Sequence, residues 1–122
     1  MQFIEVNVKS EFIEQQSSPE KEDYVFSYTV TIANQGPKKA KLLSRHWIIT
    51  DGEGQTYEVK GDGVVGKQPA LNPGECFEYT SGARLKTPIG FMHGSYQMID
   101  QDGEMFDANI EPFRLYDPKM VN

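Results

Sequence analysis

Tyr24-Val25-Phe26-Ser27-Tyr28-Thr29-Val30-Thr31-Ile32 is the stretch on which the fold turns. Tyr24, Phe26, Tyr28, Val30 and Ile32 fall on one side of an extended chain, with Val25, Ser27, Thr29 and Thr31 on the other. Alternation of period two in β-branched and aromatic residues predicts a strand with one well-buried face. Working outward, the same period picks out Ile4, Val6 and Val8, then Tyr57 and Val59, Phe77 and Tyr79, Tyr96 and Met98, and finally Phe106, Ala108 and Ile110. The segment from Leu42 to Ile49 is apolar on both sides around Ser44, Arg45 and His46, which predicts a central strand carrying Trp47 into the core. Asn34-Gln35-Gly36-Pro37, Asp51-Gly52-Glu53-Gly54, Leu71-Asn72-Pro73-Gly74 and Asp102-Gly103 separate these runs with turn-forming residues.

The count is about seven strands. No stretch carries a sustained helical period with a cap at each end, so helices are limited to a turn or two, and Ser17-Ser18-Pro19-Glu20-Lys21-Glu22 reads as a polar loop. Short strands without crossover helices predict an all-β, two-sheet antiparallel sandwich, with a small barrel as the competing closure. Trp47 on the third strand and Tyr96 opening a later one, as a corner tyrosine would, favour an immunoglobulin or fibronectin type III-like sandwich.

The chain has 122 residues, with 38% hydrophobic positions, seven Phe and six Tyr, enough for the core of one domain spanning 1–122. Twelve Lys and Arg against eighteen Asp and Glu give a net charge of -6, which opposes generic nucleic-acid binding. No run approaches the roughly 18 to 20 apolar residues of a membrane span, and Met1-Gln2-Phe3-Ile4-Glu5 lacks a basic region leading into a hydrophobic one. A single cysteine, Cys76, makes no intramolecular disulfide; a cytoplasmic location is expected.

Gly61-Asp62-Gly63-Val64-Val65-Gly66 has the spacing G-x-G-x-x-G, flanked by Lys60 and Lys67. A dinucleotide fold would follow it with a helix, and Val64-Val65-Gly66-Lys67-Gln68-Pro69 is a poor helix start. Two readings stay open: an anion nest of loop amides and lysines, or a loop whose φ angles require glycine. Lys38, Lys39 and Lys41, with Arg45 on the same strand, are either solvated lysines that protect an edge strand or, if that strand runs beside the glycine loop, half of a phosphate site. The candidate anion or pyrophosphate residues are therefore Gly61, Gly63, Gly66, Lys67 and Arg45.

Acidic residues gather at two hairpin tips, Asp51 with Glu53, and Asp100 with Asp102 and Glu104. The remainder of a calcium loop is missing, so a hairpin turn with solvated carboxylates is favoured over a cation site. His46, His93 and Cys76 occupy three separate segments without zinc spacing, and nothing orients a Cys-His pair. No metal site, cofactor or catalytic set is called for.

The ordered set Ser44-Arg45-His46-Trp47-Ile48-Ile49-Thr50-Asp51, Gly61-Asp62-Gly63-Val64-Val65-Gly66, Gln68-Pro69, Leu71-Asn72-Pro73-Gly74-Glu75, Tyr79-Thr80-Ser81-Gly82, Gly90-Phe91-Met92-His93-Gly94-Ser95-Tyr96 and Pro112-Phe113-Arg114-Leu115 resembles the bacterial ApaG family over nearly the whole chain. Departures are slight, chiefly Phe91 and His93. The resemblance implies a fibronectin type III-like sandwich, an association with cobalt and magnesium resistance or efflux, use of related domains as binding modules, and a pyrophosphate role suggested for the glycine signature. The leading expectation is a small non-enzymatic domain that binds a protein partner. The alternatives are a pyrophosphate or nucleotide sensor at Gly61 to Gly66 and, ranked lower, direct Mg²⁺ or Co²⁺ binding at the hairpin carboxylates. No nucleic acid and no membrane insertion are expected, and homodimerisation through an edge strand is an open option.

Overall fold

From Tyr24 to Asn34 the even-numbered positions are buried throughout, as their pattern predicts, and Val30 and Ile32 are completely excluded from solvent. The computed structural model describes residues 3–120; Met1, Gln2, Val121 and Asn122, the ends of the expected domain, lie outside the described residues. This strand, β2 (Tyr24–Asn34), is the middle of a three-stranded sheet, between β1 (Ile4–Phe12) and β6 (Cys76–Leu85). The second sheet contains β3 (Ala40–Asp51), β4 (Thr56–Asp62), β7 (Ile89–Asp100) and β8 (Met105–Tyr116) in the order β4-β3-β7-β8. A two-residue strand, β5 (Ala70–Leu71), joins the flank of β3 at Ala40 and Lys41. Every pairing is antiparallel.

Two separate sheets decide for the sandwich over the barrel, and β5, too short to show a period, brings the strands to eight. Between β1 and β2 lie two single 3-10 turns, Glu14–Gln16 and Pro19–Lys21, within the segment that reads as a polar loop. The sequence reading changes at several points. Tyr57 and Val59, assigned a buried face by their alternation, are each 40% exposed, because β4 is an edge strand that the opposite sheet does not cover. The lysine-bearing strand is not an edge: β3 is flanked by β7 on one side and by β4 and β5 on the other, and Lys38 is held by Asp102 at 2.7 Å.

The core is organised on Trp47, 2% exposed on β3. Its ring meets Tyr28 of β2 at 5.3 Å, Phe113 of β8 at 5.9 Å and Tyr96 of β7 at 6.2 Å, all in edge-on geometry. Burying an indole removes about 200 Å² from water, on the order of 5 kcal/mol. That exceeds the about 1–3 kcal/mol lost because its buried N–H has no hydrogen-bond partner among the described residues. Tyr96 is not a corner tyrosine. It lies in mid-strand, and its hydroxyl bonds the hydroxyl of Tyr79 across the sandwich instead of a backbone group.

The close approach of the backbone at Trp47 is made possible by its cross-strand partner, Gly94. A Cβ built there would stand 2.0 Å from the carbonyl oxygen of His46 and 3.1 Å from the Cα of Trp47, so β3 and β7 approach only because Gly94 has no side chain. Gly94→Ala is expected to lower stability by about 3 kcal/mol or more, read as a lower denaturant midpoint with an unchanged slope.

Candidate functional site

Each glycine of the Gly61 to Gly66 signature has its own structural cause. Gly61 pairs with Arg45 across β3 and β4, and a Cβ there would fall 2.8–2.9 Å from the guanidinium, which lies across the bare backbone. Gly63 has φ +62°, and a Cβ would come within 2.3 Å of the Lys67 carbonyl oxygen. Gly66, at φ +78°, follows Val65 at φ +43°, and Val64 and Lys67 exchange N–H···O bonds of 2.8 and 2.9 Å around them. Positive φ at both central residues makes a two-residue hairpin of type I′ form, for which glycine is favoured. Its base drives Val64, completely buried, into the gap between the sheets.

The amides of this loop are largely occupied. Gly63 N–H donates to Leu43 O at 2.8 Å, and the Val64 and Lys67 amides donate to each other's carbonyls. Toward Arg45 the loop turns carbonyls: Nη1 donates to Asp62 O at 3.0 Å and to Gly63 O at 2.9 Å. The adjacency that sequence left open is therefore real, and Arg45 does lie beside the glycine loop. Lys60 and Lys67 do not join it. Lys60 is opposite His46 on the other face of the sheet, and Lys67 borders a separate surface hollow with Gln68 and Leu71.

Arg45 points between the sheets into a cavity of about 270 Å³ bordered by Tyr28, Asp62, Val65, Tyr79 and Ser81. Among the described residues it makes no salt bridge. Burial pushes the Tyr28 phenol up, and it pushes Tyr79 up to about 12, in both cases against a smaller opposing pull from hydrogen bonding and from Arg45. Tyr96 is raised further, by burial first and by Tyr79 second. Tyr28 and Tyr79, which border the cavity, are protonated at neutral pH and place hydroxyls beside a cation.

The acidic hairpin tips are turns closed by their own carboxylates. Asp51 Oδ1 accepts from the amides of Glu53 and Gln55 at 2.9 and 3.0 Å, and Asp100 Oδ1 accepts from Asp102 and Glu104 at 2.9 and 3.0 Å. Among the described residues no group of three or more His, Cys, Asp or Glu side chains is placed to hold a metal ion. His46 Nε2 lies 2.7 Å from Glu58, and this bond, with Lys60 adding to it, holds the Glu58 carboxyl below its ordinary range. His46 and His93 are diagonal neighbours on the outer face of β3 and β7, whereas the exposed Cys76 is on the other sheet.

A feature that alternation did not single out lies on that outer face. Ile89, Phe91 and Tyr116 are 37%, 40% and 39% exposed, Phe91 stacks on His93 at 6.2 Å, and Arg114 covers the Tyr116 ring at 5.1 Å. Cross-strand pairs Ile89 with Tyr116 and Phe91 with Arg114 make these one patch. Ile89-Gly90-Phe91-Met92-His93 does alternate, but Gly90 occupies an inward position and hides it. A Cβ at Gly90 would be 2.5 Å from Thr50 O.

A family model described as the ApaG domain matches residues 14–100. Curated relatives called Protein ApaG, from Shewanella sp. (strain W3-18-1) and from Shewanella oneidensis, are each 56% identical over 119 residues, covering 98% of this chain and 94% of theirs. The crystal structure of a Bordetella pertussis protein named as ApaA is 50% identical, with a TM-score of 0.93 over 95% of this chain and 94% of that one.

Tyr79→Phe leaves the buried Tyr96 hydroxyl without its partner and is expected to lower stability at neutral pH by about 1–3 kcal/mol. Because the folded state keeps the Tyr79 proton where the unfolded chain has released it, stability holds below about pH 10 and falls as pH rises toward about 12. Denaturant midpoints measured across that interval should fall less steeply in the variant.

Proposed function

The chain belongs to the ApaG family, and from that premise we propose that it is a small non-enzymatic binding domain whose work is contact with another protein. The observation that carries this is the outer-face patch of Ile89, Phe91, His93, Arg114 and Tyr116. Aromatic residues and arginine are the side chains that dominate binding hot spots, and here they sit on a rigid sheet instead of a loop. The separation of the exposed Cys76 from His46 and His93, which lie on the outer face of the other sheet, supports the same reading. The fibronectin type III-like scaffold and the association with cobalt and magnesium follow from the family resemblance, and the partner is the route by which such a domain acts on ion homeostasis. No helix among the described residues is long and apolar enough to cross a membrane, and a cytoplasmic site of action is part of the proposal.

A second reading has its own support in Arg45. A half-buried guanidinium with no carboxylate partner among the described residues, beside protonated phenols, is a suitable receptor for one phosphate group. The anion-holding role then falls to a side chain more than to the amides of Gly61, Gly63, Gly66 and Lys67.

The double variant Phe91→Ala/Tyr116→Ala should fold as the parent does, within about 0.5 kcal/mol per exposed position, and should lose a protein that the parent captures from a bacterial lysate. Identical capture by both would reject this surface. Amide NMR titration with pyrophosphate tests the second reading: saturable shifts around Gly61 to Lys67 that are retained in Arg45→Lys and lost in Arg45→Gln would establish it, and no response at millimolar pyrophosphate would remove it.

A further inference from the structure

β4 is a seven-residue edge strand, Thr56–Asp62, that pairs with β3 on one side only. Gln55 O accepts from Asp51 N–H and Gly63 N–H donates to Leu43 O, so the ladder alternation directs the backbone groups of the odd-numbered residues at β3. Those of Thr56, Glu58 and Lys60 face the open edge. Edge strands are commonly protected by charge, a bulge or a covering loop. Here the two charged residues flanking the centre, Glu58 and Lys60, have opposite signs, and the inward face carries the exposed Tyr57 and Val59.

We propose that β4 pairs antiparallel with β4 of a second copy of this chain, about a two-fold axis at Val59. In this register the strand overlaps over its whole length. Glu58 stands opposite Lys60 of the second copy, and Lys60 opposite its Glu58. Both are edge-facing residues, so each pair exchanges two backbone hydrogen bonds and places opposite charges side by side. Val59 meets Val59 on the inner face. Tyr57 comes opposite Gly61, over which the Arg45 guanidinium already lies, so the ring meets a cation there.

Registers shifted by two residues set Glu58 against Glu58 or Lys60 against Lys60, so charge selects the fully overlapped pairing. β1 has no such property. Centred on Val8 it would place Glu5 against Glu11, and it already lies against β8, where Ser10 Oγ donates to Arg114 O at 2.7 Å. An isologous pairing closes as a dimer and leaves no β4 edge to propagate. One strand contributes less than the about 800 Å² per partner of a standard stable interface, so the dimer is reversible and grows with concentration. It uses a different surface from the Phe91 patch, and the protein-binding reading stands or falls without it.

Sedimentation velocity across about 10 μM to about 1 mM protein tests the pairing. The parent should move from monomer toward dimer. Glu58→Lys and Lys60→Glu, each folded by circular dichroism, should remain monomeric alone, because each sets like charges opposite one another. An equimolar mixture of the two should dimerise again, since one chain then carries a lysine at both positions and the other a glutamate at both, and every facing pair is again of opposite sign. A parent that stays monomeric throughout overturns the proposal. So does a dimer indifferent to either substitution, or a mixture of folded variants that fails to associate.

Discussion

A sheet three strands wide cannot cover one that is four strands wide, and most of the distinctive features of this molecule follow from that mismatch. Neighbouring strands lie about 4.8 Å apart and packed sheets about 10 Å apart. β1 lies against β8, as the Ser10 to Arg114 bond records, so the deficit falls entirely at the opposite side, where β4 extends beyond β6. Tyr57 and Val59 are exposed there although they point inward. The same gap admits Val64 and Arg45. A buried valine fills the deeper part, and an arginine, with an aliphatic stem and a polar head, suits the part that opens toward water.

Arg45 then dictates its surroundings. Its guanidinium lies on Gly61, takes the carbonyls of Asp62 and Gly63, and so fixes the course of the chain leaving β4. A signature that in another setting cradles a pyrophosphate at a helix N-terminus is here a lid over an arginine, a positive-φ residue and a hairpin tip. Similar economy governs the acidic turns, where Asp51 and Asp100 each satisfy two amides of their own hairpin. The carboxylate oxygens Asp51 Oδ1 and Asp100 Oδ1, which look like ligand donors in one dimension, are already occupied in three.

What remains available to other molecules is surface. The outer face of the wider sheet offers the Phe91 patch at one end, while β4 offers backbone groups along one edge. In an antiparallel extension of a sheet, residues facing each other point to the same side. A dimer joined at β4 therefore presents both outer faces on one side, and a partner with two copies of its epitope would gain from the doubled contact.

Legibility divided along the range of the forces concerned. Alternation in Tyr24 to Ile32 and around Trp47, with glycine and proline turns between, was enough to place the strands and most of the core, because period two and turn geometry are local properties of the backbone. It failed for Tyr57 and Val59, whose pattern says which side they face but not whether anything lies there. It also failed for the lysines read as an edge strand, since Lys38 and Lys39 precede β3 and β5 occupies its flank at Lys41, and for the Phe91 patch, hidden by Gly90. By itself the sequence determined the antiparallel all-β class and the family, through order and spacing along the chain. Only the tertiary structure decided which strand is an edge, which cation reaches the glycine loop and which aromatics stay in water, because these depend on what a second sheet covers, and coverage is set by strands distant in sequence.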